Sequence, residues 1–242
     1  MTENFGFIAY HLHAPIPKAI TFAFVSDLHG VPNQPVLHAV DALAPDALLV
    51  GGDFLHSASN YRRGFAFLRQ AARKYPTFVS IGNHERMFRG DLFAELARTD
   101  AVILDNRAVV FEAVLLGGLS SGFQKGDKQG IMKRTPKPNL QFLSDFSRRE
   151  GYKILLSHHP EYYPRYIRDS AVDLTLSGHA HGGQWRFFGR GLFAPGQGIF
   201  PKYTDGIYEN RLIVGRGFGE LPLIPRIHNT PAVIALHLHP QQ

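Results

Sequence analysis

Short, almost uninterrupted apolar runs alternate along the chain with segments of helical period. Thr21–Val25, Ala47–Val50, Thr77–Ile81, Ala113–Leu116, Lys153–Leu156, Asp173–Leu176, Arg211–Val214 and Ala232–Leu238 predict strands. Most are apolar at consecutive positions, the pattern of strands covered on both faces. Four helices are predicted between them. Pro35–Leu43 carries a proline suited to a first turn. Tyr61–Tyr75 places Phe65, Leu68, Ala72 and Tyr75 on one side, and Asp91–Thr99 follows. Leu140–Glu150 has Leu140, Leu143 and Phe146 in register. Strands alternating with helices predict a layered α/β fold. Ser120–Asn139, rich in Gly, Pro and Lys, and Gly182–Tyr203, rich in Gly and aromatics, predict long loops. Loops of that length in a compact domain are usually functional or mobile. With no internal repeat, low-complexity tract or long linker, residues 1–242 are expected to form one domain.

Composition narrows the chemistry. The chain has no cysteine, which excludes disulfides, thiolate catalysis, cysteine-ligated zinc and iron–sulfur clusters. Any metal must be held by His, Asp, Glu, Asn or backbone oxygen, and the chain has 13 histidines. The 26 Lys and Arg against 20 Asp and Glu leave a net charge of +6. Such a surface attracts phosphate-bearing partners, and it is equally compatible with an ordinary basic protein. No segment approaches the roughly 18 consecutive apolar residues of a membrane span. Val102 to Leu119 comes nearest and is interrupted by Asp105, Arg107 and Glu112. Glu3, Pro15 and Pro17 do not fit a secretory signal, so the chain is expected to be cytoplasmic, with room for peripheral membrane contact.

Five polar clusters stand at the ends of apolar runs: Ser26-Asp27-Leu28-His29-Gly30, Gly51-Gly52-Asp53, Gly82-Asn83-His84-Glu85, Ser157-His158-His159 and Gly178-His179-Ala180-His181. The carboxyl ends of strands are where α/β sheets bind ligands. Asp, Asn and His are oxygen and nitrogen ligands for divalent transition metals. In extended backbone Asp27 and His29 share a face, as do His179 and His181. Asp53 has two oxygens and so can bridge two cations, while Asn83 adds an oxygen without charge.

This ordered set of Asp-x-His, Gly-Asp, Gly-Asn-His-Glu, His and Gly-His-x-His resembles the calcineurin-like metallophosphoesterase superfamily. Gly178–Gln184, Ala194-Pro-Gly-Gln-Gly, Pro201-Lys-Tyr and Arg216-Gly-Phe-Gly resemble its bacterial YkuE-like or YaeI-like phosphodiesterase branch. Members often carry an N-terminal export or membrane segment, which this sequence does not show. The resemblance implies a four-layer αββα sandwich of two mixed β-sheets flanked by helices. It implies two divalent ions, whether manganese, iron or zinc. Asp27, His29 and His181 would hold the first, Asn83, His158 and His179 the second, and Asp53 would bridge them. His84 would be a non-ligand acid near the scissile phosphate. The implied reaction is phosphoester hydrolysis by a metal-bridging hydroxide. Two divalent ions, two carboxylates and a hydroxide leave a small positive charge, which suits a phosphodiester monoanion without excluding a monoester dianion.

Other positions have two readings. His158 and His159 are adjacent, and a strand sends only one inward; the family pattern favours His158. His11 with His13, and His237 with His239, suggest either an accessory metal site or, as we expect, exposed strand faces. His56 follows Asp53 closely enough to sit beside the ligands. Lys125, Lys128, Lys133, Arg134 and Lys137 form either a lid for an anion or, as we expect, a solvated loop. Trp185, Phe187, Phe188, Phe193 and Phe200 could form an apolar lip for a nucleobase or acyl chain, or simply pack a long loop. Arg86 could reach a phosphate or be a surface arginine. The expected partner is a small phosphoester, which can be amphiphilic, and the expected state a monomer or weak oligomer. Rival functions are a nuclease, an enzyme cutting a nucleotide-linked lipid precursor, and a binding module without activity. The last would be expected to have lost ligands, and this chain retains all seven.

Overall fold

The computed structural model describes residues 5–56, 61–127, 130, 132–219 and 225–241. Twelve strands form two six-stranded mixed sheets. The first runs in the order β1 (Gly6–Ala14), β16 (Ala232–Pro240), β2 (Ile20–Val25), β3 (Ala47–Val50), β4 (Thr77–Val79), β5 (Val102–Ile103). Only the β16–β2 pairing is antiparallel. The second runs β14 (Gly206–Tyr208), β15 (Leu212–Val214), β9 (Leu174–Ser177), β8 (Tyr152–Ser157), β7 (Val114–Leu119), β6 (Arg107–Phe111), with β14 and β6 antiparallel at its edges.

The continuous apolar strands are buried on both faces, as their pattern requires. Phe22, Phe24, Ala47 and Leu49 of the first sheet meet Ile154, Leu156, Leu174 and Leu176 of the second in a core between the sheets. The alternate residues Ala23, Val25, Leu48 and Val50 pack outward beneath α1 (Asn33–Leu43), α2 (Tyr61–Ala72) and α4 (Leu92–Leu96). On the far side, Leu115, Leu119 and Leu155 pack against α5 (Leu140–Ser147) and a π-turn at Tyr163–Ile167. The result is the helix–sheet–sheet–helix layering that the resemblance implied.

Several elements differ from expectation. Helix α4 is shorter than 91–99 because Asp91 caps it, accepting from the Ala94 N–H at 3.0 Å. Helix α5 ends at Ser147 and α2 at Ala72. Strand β1 was not predicted, although its residues alternate between half-buried and exposed. The expected loop 182–203 contains two short hairpins, β10 (Arg186–Phe187) with β11 (Arg190–Gly191), and β12 (Phe193–Ala194) with β13 (Gly198–Ile199). In the 120–139 segment Lys125, Lys133, Arg134 and Lys137 are exposed, and Lys128 lies outside the described residues. Among the described residues no helix is long and apolar enough to cross a membrane.

Candidate metal centre

Strands β2, β3 and β4 run parallel within one sheet, and β7, β8, β9 and β15 within the other. Their C-terminal ends therefore release the polar clusters at one end of the sandwich. Backbone hydrogen bonds lock those turns together. The Asp27 N–H donates to Gly52 O at 3.0 Å, and the His29 N–H to Asp53 O at 3.1 Å. The Gly178 N–H donates to His158 O at 3.1 Å. Asp27, His29, Asp53, His179 and His181 all have left-handed backbone, with φ between 45° and 64°. Such positions cost about 1–3 kcal/mol each and persist where the surroundings over-determine them. Gly178 is small for a direct reason: a Cβ there would lie 2.4 Å from Asp27 Oδ2 and 2.5 Å from Ser26 Oγ.

These turns bring the predicted residues together. Ligand atoms of Asp27, His29 and His181 lie within 4.8 Å of one another, and so do those of Asp53, His158 and His179. Asp53 also groups with His29 and His84. Asp53 Oδ2 is 3.1 Å from His158 Nε2 and 3.9 Å from both His29 Nε2 and His84 Nε2. Its other oxygen accepts the His84 backbone N–H at 2.9 Å. Asp27 Oδ1 is 3.6 Å from His181 Nε2 and 3.8 Å from His158 Nε2. Asn83, fully buried, opens α3 (Asn83–Arg86) beside this cluster.

The hydrogen bonds orient the rings. His158 Nδ1–H donates to Gly51 O at 2.8 Å and His181 Nδ1–H to Gly219 O at 3.2 Å. Each therefore turns its Nε2 toward the carboxylates, the arrangement that orients a ligand's ring at metal sites. Neither ring nitrogen of buried His29 has a hydrogen-bond partner among the described residues. Burial holds His29 and His179 well below the ordinary imidazole range, so they are neutral and ready to ligate. Burial pulls His158 down too, but Asp53 and Asp27 outweigh it and push the ring up to about 10. Burial pushes Asp53 up, yet His158, His84 and His29 hold it well below the usual carboxylate range. Two buried carboxylates ringed by imidazole Nε2 atoms fit divalent cations, which would take the place of the proton that Asp53 and Asp27 draw onto His158.

Glu85, which ends the Gly-Asn-His-Glu cluster, carries a role that its place in the sequence does not reveal. Its Oε2 accepts the N–H groups of Asp53 at 2.8 Å and Gly82 at 2.9 Å, and its Oε1 accepts that of Leu55 at 2.9 Å. Glu85 thus ties the Asp53 turn to the Asn83 turn. Burial and the nearby Asp53 charge push its carboxyl up to about 8. A glutamine can keep two of these three contacts at most, since its NH₂ must face an N–H donor. Glu85→Gln is expected to destabilise the fold by about 1–3 kcal/mol. At about 2–4 °C per kcal/mol for a chain this size, thermal melting reads that loss directly.

His158 and His159 both lie beyond the end of β8, so strand alternation does not part them: the His159 ring stands 5.0 Å from that of His158 and 4.2 Å from that of His179, and its Nε2 meets Ser121 Oγ at 2.8 Å. There, ligand atoms of His159, Glu161 and His179 fall within 4.8 Å of one another. Glu161 accepts from Thr135 Oγ1 and has a second oxygen without a hydrogen-bond partner among the described residues. It was missed because one Glu four residues after a strand carries no local signal. The His56 ring stands edge-on to His29 and His84 at 6.2 and 6.0 Å. His11 and His13 pair in register with His237 and His239 on β1 and β16, the strand-face placement expected of them. Arg86 is ion-paired with Asp105. Trp185 is half-buried and donates its indole N–H to Pro225 O at 3.0 Å.

The family described as calcineurin-like phosphoesterase matches residues 20–183. Phosphodiesterase YaeI of Escherichia coli is 30% identical over 238 residues, covering 89% of this chain and 80% of YaeI. The uncharacterized metallophosphoesterase YkuE of Bacillus subtilis is 28% identical over 200 residues, covering 78% of this chain and 66% of YkuE. Among solved structures, TT1561 of Thermus thermophilus superposes with a TM-score of 0.50 at 16% identity, covering 76% of this chain and 92% of that one.

Proposed function

The chain belongs to the calcineurin-like phosphoesterase family, a metal-dependent class of phosphoric ester hydrolases, and from that premise we propose that it is a phosphodiesterase working with two divalent cations. The observation that carries this reading is the position of Asp53 Oδ2. That oxygen stands between His29 Nε2 of one ligand group and His158 Nε2 of the other, while Asp53 Oδ1 is engaged by the His84 N–H. Asp27, His29 and His181 would hold one cation. Asn83, His158 and His179 would hold the other, and Asp53 would serve both.

When bound, such a pair supplies Lewis acidity to a phosphoryl oxygen and makes water acidic enough to attack near neutral pH. This chain's own residues do the rest. Gly51 O and Gly219 O fix the ring orientations of His158 and His181. Glu85 holds the Asp53 and Asn83 turns together. His84, whose side chain is 17% exposed, holds a proton at Nε2 for the departing alkoxide. YaeI's name as a phosphodiesterase supports the diester assignment. The imidazole, carboxylate and amide set accommodates manganese, iron or zinc, and supply selects among them.

The test is elemental analysis of the purified protein, followed by a panel of aryl phosphodiesters and monoesters with added manganese. We expect diester turnover that a chelator abolishes and manganese restores. A metal-loaded protein that hydrolyses no ester would indicate a binding module instead, and faster monoester turnover would reverse the substrate assignment.

A further inference from the structure

The two hairpins that follow the last histidine of the metal centre, and the residue just after them, carry aromatic side chains left largely exposed. Phe188 and Gly189 form the two-residue turn between β10 and β11, with φ of 50° and 78°. Asn-Gly is the usual occupant of such a turn, because both central residues are left-handed. Here a phenylalanine takes the first position, and its side chain is fully exposed. Phe200, just after β13, repeats the combination: φ is 51° and exposure 76%. A bulky residue at positive φ is strained, and neither ring offsets that strain by burial. Phe187 and Ile199 are exposed beside them, at 47% and 63%.

The charge around these side chains is net positive. From Leu174 to Thr204 the sequence contains no Asp or Glu, whereas Arg186 and Arg190 fall within the first hairpin and Lys202 just after the second. A shallow cavity of about 470 Å³ is lined by Arg190, Phe200, Pro201 and Lys202 among others. Neither Arg190 nor Lys202 pairs with a carboxylate among the described residues. A neighbouring cavity of about 440 Å³ is lined by Phe187 and Phe188 with Arg186 and Arg216. Those two arginines share Asp205, at 3.2 and 3.0 Å, so one positive charge remains there. Phe188 is seven positions after His181, so the aromatic tip lies within roughly 25 Å of the metal centre.

We propose that this hairpin end docks onto the surface of an anionic lipid bilayer. Phe187, Phe188, Ile199 and Phe200 enter the boundary between headgroups and acyl chains, and Arg190 and Lys202 meet lipid phosphates. Aromatic residues at turn tips flanked by cations match that boundary, where apolar area and attraction to anionic lipid act together. Docking would bring the metal centre to the membrane interface. The proposal does not depend on the reaction, because its readout is partition to vesicles.

The experiment is co-sedimentation of the full chain with phosphatidylcholine vesicles, with or without phosphatidylglycerol, at low and high salt. We expect binding to the anionic vesicles only, weakened by salt. The double substitution Phe188→Asn and Phe200→Asn should lower the partition coefficient about tenfold or more. It should leave the melting temperature unchanged or raised, since asparagine tolerates left-handed backbone better. A packing role for the rings would lower the melting temperature instead. Arg190→Glu with Lys202→Glu should remove the salt-sensitive part of binding. Equal partition of wild type and the phenylalanine variant overturns the proposal. So does retention on a DNA oligonucleotide with no partition to vesicles.

Discussion

Replacing Asp53 by asparagine is expected to reduce phosphodiester turnover by about a thousandfold or more, with loss of metal from both ligand groups. The side chains are nearly the same size, so the effect is chemical. Asp53 Oδ1 accepts the His84 N–H at 2.9 Å, while Oδ2 lies 3.1 Å from His158 Nε2. An asparagine has one oxygen for these two duties. If that oxygen stays with the His84 N–H, its NH₂ points among His158, His29 and His84, where a donor cannot ligate a cation. If the amide turns over, the NH₂ faces the His84 N–H and that turn loses its anchor. Either way the pocket loses one of its two buried carboxylates. A deficit of about 4 kcal/mol in transition-state stabilisation corresponds to a thousandfold in rate, and removing charge at a metal pair is of that order. The measurement is kcat/KM together with metal content per chain. Full activity with two metals retained would remove Asp53 from the bridging position.

Much of this site was legible in the sequence because its residues are fixed locally. Strands such as Ala47–Val50 are apolar throughout, with Ala47 and Leu49 facing the other sheet and Leu48 and Val50 facing the helices. Buried strands of that kind have polar turns at their ends, so Asp53, Asn83, His158 and His179 stood out against the runs before them. What was not legible depends on partners far along the chain. Strand β1 pairs with β16 more than 200 positions away, with Gly6 opposite Ala232. Its alternating side chains, two of them histidines, gave no sign of that neighbour. The hairpins at 186–199 have strands of two residues, too short to show a period of their own. Glu85 acts through backbone N–H groups about 30 positions earlier, which no pattern of side chains reports. Glu161 gains its importance from the fold that places it beside His159 and His179.

The second large effect is expected at His84, and it should depend on the leaving group. His84 is the most exposed of the histidines around Asp53, at 17% against 7% for His29 and none for His158. An ester entering from solvent would meet that ring first. Its hold on Asp53 runs through its backbone N–H, which an alanine keeps. His84→Ala is therefore expected to lower kcat by about 10²–10⁴-fold, the range for a general acid, with metal content unchanged. A nitrophenolate departs without a proton, whereas an alkoxide needs one. The loss should accordingly be much smaller for an aryl diester than for an alkyl diester. The grouping of His84 with His29 and Asp53 sets the competing outcome. If His84 were itself a ligand, the alanine variant would lose metal and both esters would slow alike. Measuring the two esters alongside metal content separates a proton donor from a ligand, because only the donor ties the damage to the basicity of the leaving oxygen.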